Sequence, residues 1–329
     1  MTKPRFQPGL PLSAGVRRQI QLKTTSESSM NRSTVCAFLA AVIIPFVPAD
    51  TPAQMPRLQT KIGHIVQRAG GRVGVAVIGP GKNDTLAVNG SGRFPMQSVY
   101  KFPIALAVLN RVDSGKFSLD QKIHIRKDDL LTGTWSPLRE KYPDGNVDIP
   151  LSELLTYTVS LSDNNGCDIL FRLLGGPETV DRYVHSLGIR DIAIATTEAE
   201  MHNNRYAQRR NWSSPAAMAQ LLQMFECGKI LSEKSREFLW QAMVKTGTGP
   251  GRIKGLLPAG TVVAHKTGSS GTNSDGITAA TNDVGILTLP GGKHVVLVVF
   301  VSDAKAKESA CEDVIARITK AVWDAFSAR

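Results

Sequence analysis

Ser98 and Lys101 stand three residues apart at the head of the apolar run 102–109, a pairing able to perform acyl transfer. On a helix, positions i and i+3 share a face, so the lysine ammonium can reach the serine hydroxyl. A free serine is a weak nucleophile near neutral pH and needs an adjacent base or a strong local field. The start of a helix adds partial positive charge and free N–H groups where an oxyanion would form. Pro103 suits a first turn, where its missing N–H costs little.

Ser-x-x-Lys alone is a weak signal, and the chain supplies its own control. Ser302-Asp303-Ala304-Lys305 also matches, but it follows the strand-like run 295–301 and opens no helix, so its lysine reads as a solvated loop residue. Lys-Thr-Gly likewise occurs twice. Lys245-Thr246-Gly247 closes the helical run 238–244, where a cation and a glycine serve a helix C-terminus. Lys266-Thr267-Gly268 ends the strand-like run 262–265 and leads into Ser269, so a sheet edge there offers a bound molecule N–H and hydroxyl groups. Ser162-Asp163-Asn164 lies between two helical runs and, taken alone, reads as an N-cap. In the order Ser98-x-x-Lys101, Ser162-x-Asn164, Lys266-Thr267-Gly268, the three become walls of one cleft.

The elements that must position these groups follow from periodicity. A helix is expected over 55–69, ended by Gly70-Gly71, then a strand over 72–79 with a hairpin partner at 85–88. The nucleophile helix runs from 98 to about 113, and a short strand from 121 to 125. Residues 132–149 read as a turn-rich loop and 189–212 as a non-periodic one, while helices are expected at 151–159, 165–174, 177–187, 213–227 and 231–244. Strand patterns occupy 261–266, 283–289 and 293–301, and 307–327 is a closing amphipathic helix. Strands at both ends of the chain with helices between predict an α+β fold. An antiparallel sheet flanked by helices (about 55–95 and 250–329) joins an all-α lobe (about 96–249), with the active site in the cleft between them.

A chain of 329 residues with 42% hydrophobic content can bury a large core. The net charge of +11 comes without a clustered basic run or nucleic-acid motif, so it reads as a solubility feature and no nucleic-acid partner is expected. Of four cysteines, Cys36 falls in a leader-like segment, and Cys167, Cys227 and Cys311 show neither CxxC nor Cys/His ligand spacing. They read as small hydrophobes, with no disulfide assignable. The six histidines show no zinc-ligand spacing either, so no metal or other cofactor is expected.

At this point the chain resembles the penicillin-recognising serine enzymes, and more specifically a class A serine β-lactamase, whose motif set it carries in order. The resemblance runs from about residue 55 to the C-terminus. Its most specific feature is Thr197-Glu198-Ala199-Glu200-Met201-His202, in the loop where the family carries the glutamate that activates the deacylating water. Glu198 matches that position and Glu200 is the runner-up. His202 stands where the family more often has Asn, and with the Ser-Val-Tyr-Lys wording this resembles the PER-type extended-spectrum branch. The resemblance implies hydrolysis of the β-lactam amide of penicillins and cephalosporins through a Ser98 acyl-enzyme. Lys101 or Glu198 would take the serine proton, Ser162 would relay one to the lactam nitrogen, and backbone N–H groups of Ser98 and Ser269 would form the oxyanion hole. It further implies that Asn164 holds the substrate's side-chain amide and that Lys266, Thr267, Gly268 and Ser269 meet its carboxylate. Arg252 would aid that contact and Trp135 would flank the mouth; by residue type alone the first also reads as a solvated loop charge and the second equally as a core residue. The partners are then small-molecule β-lactams, and the enzyme is a monomer. A D-Ala-D-Ala peptidase shares the three motifs but gives Glu198 no role. A β-lactam sensor would need a membrane span and a signalling domain.

Ahead of all this, Met30-Asn31-Arg32, an apolar run over 35–47 and small residues near Ala49 follow the order of a signal peptide over 30–49. Residues 1–29 read as a disordered upstream extension, and 50–329 as the catalytic domain, delivered to the periplasm or the exterior with no membrane span in the mature form. N-terminal sequencing of the secreted protein is expected to begin near Asp50 or Gln54; a mature chain that retains Arg17 would contradict this.

Overall fold

A computed structural model describes residues 54–328, Arg205 excepted. The expected upstream extension and signal peptide lie outside these residues. α1 (Gln54–Val66) buries Leu58 and Ile62, one turn apart, and tightens into a 3₁₀ turn that stops where Gly70 takes φ +59°. β1 (Arg72–Ile78) and β2 (Thr85–Val88) form the expected hairpin, and the short β3 (Phe94–Pro95) follows. The expected nucleophile helix is not a single helix. Residues 97–100 make a 3₁₀ turn, and α2 (Lys101–Asp113) begins only at the lysine. Residues 101–109 of α2 are all buried, so it is the central helix, apolar all round.

β4 (Lys122–Ile125), α3 (Pro137–Lys141) and β5 (Val147–Pro150) come next, then α4 (Leu151–Ser160), α5 (Asn164–Leu174) and α6 (Pro177–Ser186). β4 pairs with β5, so the helical lobe also carries a two-stranded ribbon. The expected loops at 132–149 and 189–212 therefore contain order. The first holds α3, five residues long with Ser136 as N-cap and Pro137 at its first position. The second holds β6 (Ile192–Ala193), α7 (Glu198–Asn203) and β7 (Trp212–Ser213). Elements this short complete too few turns for periodicity to register. α8 (Pro215–Glu226) and α9 (Glu233–Val244) lead to β8 (Val263–Ser269), β9 (Thr281–Thr288), β10 (His294–Ser302) and α10 (Glu308–Phe326).

The main sheet is antiparallel with strand order β2-β1-β10-β9-β8, so the two ends of the chain share it and β8 is an edge. Alternation along the strands splits the core in two. Val75, Val77, Val263, Leu287, Leu297 and Val299 pack with Ile62 of α1 and Val314, Ile315 and Ile318 of α10. Ala76, Val284, Ile286, Val296, Val298 and Phe300 face the lobe and α2. Burying both faces explains why these strands read as continuous apolar runs. Cys167 and Cys311 are buried and Cys227 is exposed, all as free thiols.

One buried carboxylate ties the lobe together. Asp163 caps α5 by accepting the Gly166 N–H at 2.7 Å. It also accepts the Leu138 N–H at 2.7 Å and the Ser136 hydroxyl at 3.0 Å, which fastens α3 to α5. Asp163→Ala removes a cap and strands a buried donor, so urea unfolding should show a loss of about 3 kcal/mol. An unchanged midpoint would contradict this account.

Candidate active site

Ser98 lies where the sheet edge meets the lobe. Gln97 before it takes φ +48°, a left-handed conformation that costs a non-glycine residue about 1–2 kcal/mol. Surrounding contacts hold it there. Gln97 Nε2 donates to Gln208 Oε1 at 2.6 Å, and Asn282 Nδ2 on β9 donates to the carbonyls of Pro95 (2.8 Å) and Met96 (3.1 Å). Gly268 of β8 presses against the same turn, and any Cβ there would collide with the Met96 carbonyl oxygen.

The Lys101 side chain is completely buried. Its Nζ donates to Ser98 Oγ at 3.0 Å, to the Ser162 carbonyl at 2.9 Å and to Asn164 Oδ1 at 2.5 Å, and it pairs with Glu198 Oε1 at 2.9 Å. Ser162 takes φ +59°, which turns its carbonyl to Lys101 while its hydroxyl accepts from Lys266 Nζ at 2.9 Å. Lys266 is also fully buried. Burial first, then the charge of Lys101, pushes its ammonium well below the ordinary lysine range. Thus Ser98, Lys101, Ser162, Asn164, Glu198 and Lys266 form one connected set.

The acid of that set is distinguished from its neighbour by local geometry. Thr197 opens α7 with a capping box, its hydroxyl accepting the Glu200 N–H while Glu200 accepts the Thr197 N–H. Glu200 also accepts the Thr196 hydroxyl at 2.6 Å, and these bonds hold its carboxyl below the usual range. Glu200 is thereby engaged in its own helix start, and Glu198 is the one that reaches Lys101. The sequence analysis missed what holds α7. Asp168 on α5 accepts the N–H groups of Glu198 and Ala199, both at 2.8 Å. Its spacing of four from Asn164, one turn along the same helix face, was the available signal. Burial, aided by the charge of Glu198, pushes the Asp168 carboxyl up to about 6. His202 is exposed on α7, its ring lying over Gly133 in the loop before α3.

The remaining candidates sit around this centre. Asn164 Nδ2 donates to Thr134 Oγ1 at 2.6 Å, so the amide is held at both ends. Trp135 is 56% exposed, which removes a core role, and its indole N–H donates to the Leu161 carbonyl at 2.8 Å. Thr267 Oγ1 lies 2.5 Å from Thr248 Oγ1. Arg252 differs from the expectation of direct carboxylate contact. It is buried, and its N–H groups donate to Glu312, Glu308, the carbonyls of Gly268 and Asn282, and Ser269 Oγ at 2.7 Å. With its fork saturated, Arg252 meets the cleft only through the Ser269 hydroxyl. The lysines of the duplicate motifs are exposed, Lys305 beyond β10 and Lys245 at the end of α9.

A model of the β-lactamase enzyme family matches residues 57–326. The chain is 45% identical to β-lactamase VEB-1 of Pseudomonas aeruginosa over 276 residues, 83% of this chain and 92% of that one. It is 43% identical to extended-spectrum β-lactamase PER-1 of the same organism over 282 residues, 86% and 91% of the two chains. Among solved structures, a β-lactamase from Chitinophaga pinensis aligns at TM-score 0.80 and 55% identity, covering 82% of this chain and 99% of its own. The chain belongs to the β-lactamase enzyme family, as a class A β-lactamase.

Asp168 generates a test by pH. Its folded value exceeds that of an unfolded aspartate, so the native state binds the proton first and this group adds stability as pH falls from about 6 to about 4. Between about pH 7.5 and about pH 4.5, wild type should gain about 2 kcal/mol relative to Asp168→Asn in urea unfolding. Parallel pH curves for the two proteins would contradict the assignment.

Proposed function

We propose that the protein hydrolyses the β-lactam amide of penicillins and cephalosporins through a Ser98 acyl-enzyme that Glu198-activated water releases, and so confers resistance to these antibiotics. The observation that carries this is the shared ammonium: Ser98 Oγ and Glu198 Oε1 both lie within 3.0 Å of Lys101 Nζ. A group that captures an acyl unit and one that can activate water against it are thereby coupled through one proton-carrying nitrogen.

In acylation, Ser98 Oγ attacks the lactam carbonyl, and its proton leaves into the Lys101–Glu198 pair. Lys101 directs hydrogens at the carbonyl oxygens of Ser162 and Asn164 and at Ser98 Oγ, while Glu198 Oε1 is ion-paired with it at 2.9 Å, so the ammonium can take the serine proton as it passes one on to Glu198. The negative charge on the former carbonyl oxygen meets the N–H groups of Ser98 and Ser269. An oxyanion-hole donor of this kind is worth about 3–4 kcal/mol in the transition state. Ser162, bonded to Lys266, passes a proton to the departing nitrogen. Lys266, Thr267 and Ser269 receive the substrate carboxylate beside Gly268. Because Ser269 Oγ accepts from Arg252, its own hydrogen is free to donate to that carboxylate. Asn164 holds the side-chain amide and Trp135 flanks the mouth. Water activated by Glu198 then cleaves the ester.

The extended-spectrum reading rests on relatives so described, PER-1 at 43% and TLA-3 at 50% identity, the latter with TM-score 0.82 over 83% of this chain and 99% of its own. The proposal places a cofactor-free monomer in the periplasm or outside the cell. Among the described residues no helix is long and apolar enough to cross a membrane.

Mass spectrometry after mixing with benzylpenicillin provides the test. Glu198→Ala should accumulate a covalent adduct and Ser98→Ala none, while wild type turns over nitrocefin equally with and without EDTA. Full turnover by Glu198→Ala would overturn the role given to that carboxylate.

A further inference from the structure

Beneath the cleft, on the sheet face that packs against α10, lies a second polar pair that the chemistry above does not use. His265 and Asp283 are both wholly buried. His265 Nδ1 lies 2.9 Å and 3.1 Å from the two oxygens of the Asp283 carboxylate. Asp283 Oδ2 also accepts the Ile253 N–H at 3.2 Å. One carboxylate therefore grips the imidazole one residue before Lys266 and the peptide N–H one residue after Arg252.

Stability alone does not account for this pair. Its neighbours on the same face, Val263, Leu287 and Ile253, are apolar. A buried imidazole and carboxylate among them carry a desolvation cost that an apolar pair of similar volume would avoid. The pair is also incompletely satisfied, because His265 Nε2 is buried with no hydrogen-bond partner among the described residues. The sheet nevertheless makes room for it. Gly285 sits opposite His265 in the β8–β9 register, and a Cβ there would come 2.7 Å from His265 Cβ and 2.5 Å from the Ala264 carbonyl oxygen. From the other side Thr246 Oγ1 donates to the His265 carbonyl at 2.8 Å, fixing the strand against the end of α9. Electrostatics point the same way, since the Asp283 charge favours the protonated form of Lys266 against burial and against Lys101.

We propose that His265 and Asp283 are positioning residues for recognition of the β-lactam carboxylate: Asp283 holds the strand bearing Lys266 and the turn bearing Arg252 in register, with His265 as the link to β8. This rests on the reading that Lys266 and the Arg252–Ser269 pair receive that carboxylate. Alternate side-chain directions along β8 put His265 on the far face of the strand from Lys266, so the pair acts through the backbone and through its charge and touches no substrate.

The test compares His265→Asn with His265→Gln in the full chain. An asparagine amide nitrogen falls near the imidazole Nδ1 and keeps the bond to Asp283, whereas a glutamine amide nitrogen falls near Nε2 and loses it. Kinetics with benzylpenicillin are normalised to the concentration of sites that the drug acylates, so a partly folded sample does not mimic a loss of kcat. His265→Gln should raise KM about tenfold with kcat per acylatable site little changed, and His265→Asn should stay within about twofold of wild type. Asp283→Ala should raise KM at least as far as His265→Gln. Equal KM for the Asn and Gln variants, with any loss confined to thermal stability and active fraction, would overturn the proposal. Lys266→Ala separates the two levels: a raised KM in it beside unmoved His265 variants sinks the positioning role alone, and an unmoved KM sinks the carboxylate reading itself.

Discussion

A lysine ammonium with no solvent exposure is the constraint that orders this molecule. Removing such a charge from water costs several kcal/mol unless acceptors replace its hydration, and breaking one partner of a buried charge is strongly destabilising. Lys101 has its acceptors from three separate places: the turn that opens α2, the turn between α4 and α5, and the first residue of α7. The fold stays closed around the nitrogen only if all three arrive together. The lobe, the loop bearing Glu198 and the turn bearing Ser98 are therefore held in one arrangement by this single ammonium.

That arrangement stores local strain and spreads its support widely. Gln97 and Ser162 both adopt left-handed backbone angles, each unfavourable for a residue with a Cβ. Each is held by partners remote in the chain, Gln97 by Gln208 and the sheet residue Asn282, Ser162 by Lys101 and Lys266. The edge strand β8 contributes on both its faces, with Lys266 towards the cleft and His265 towards the second core. Arg252 closes the same region from behind, neutralised by Glu308 and Glu312 of the last helix. The groups of the candidate site are thus fixed in part by residues, such as Arg252 and Asn282, that lie behind it.

What could be read from the chain and what could not divide along physical lines. Long elements, such as β9 and β10 with their apolar runs and α10 with its helical period, were legible to within a few residues because burial imposes those patterns. α3 and α7 were not, since five or six residues complete fewer than two turns. Their caps were nonetheless written in the chain, Ser136-Pro137 for one and Thr197-x-x-Glu200 for the other. The same capping box explains why two nearby glutamates differ, one turned into its own helix and the other left for Lys101. Arg252 is the opposite case: the resemblance puts it near the substrate carboxylate, and only α10, more than fifty residues later, reveals that its fork is engaged by Glu308 and Glu312.

By itself the sequence determined which side chains could do chemistry, the order in which they come and the α+β character of the fold. Those properties depend on residue type and on short spacings, which a linear chain displays directly. Only the tertiary structure decided that Asp168 holds the start of α7, that Asp283 reaches both His265 and the neighbour of Arg252, and that Trp135 is exposed rather than core. Such contacts join positions 18 or more residues apart or depend on what else fills the space. Their selection follows from the closed packing of three dimensions, where a donor takes whichever acceptor the rest of the molecule brings within reach.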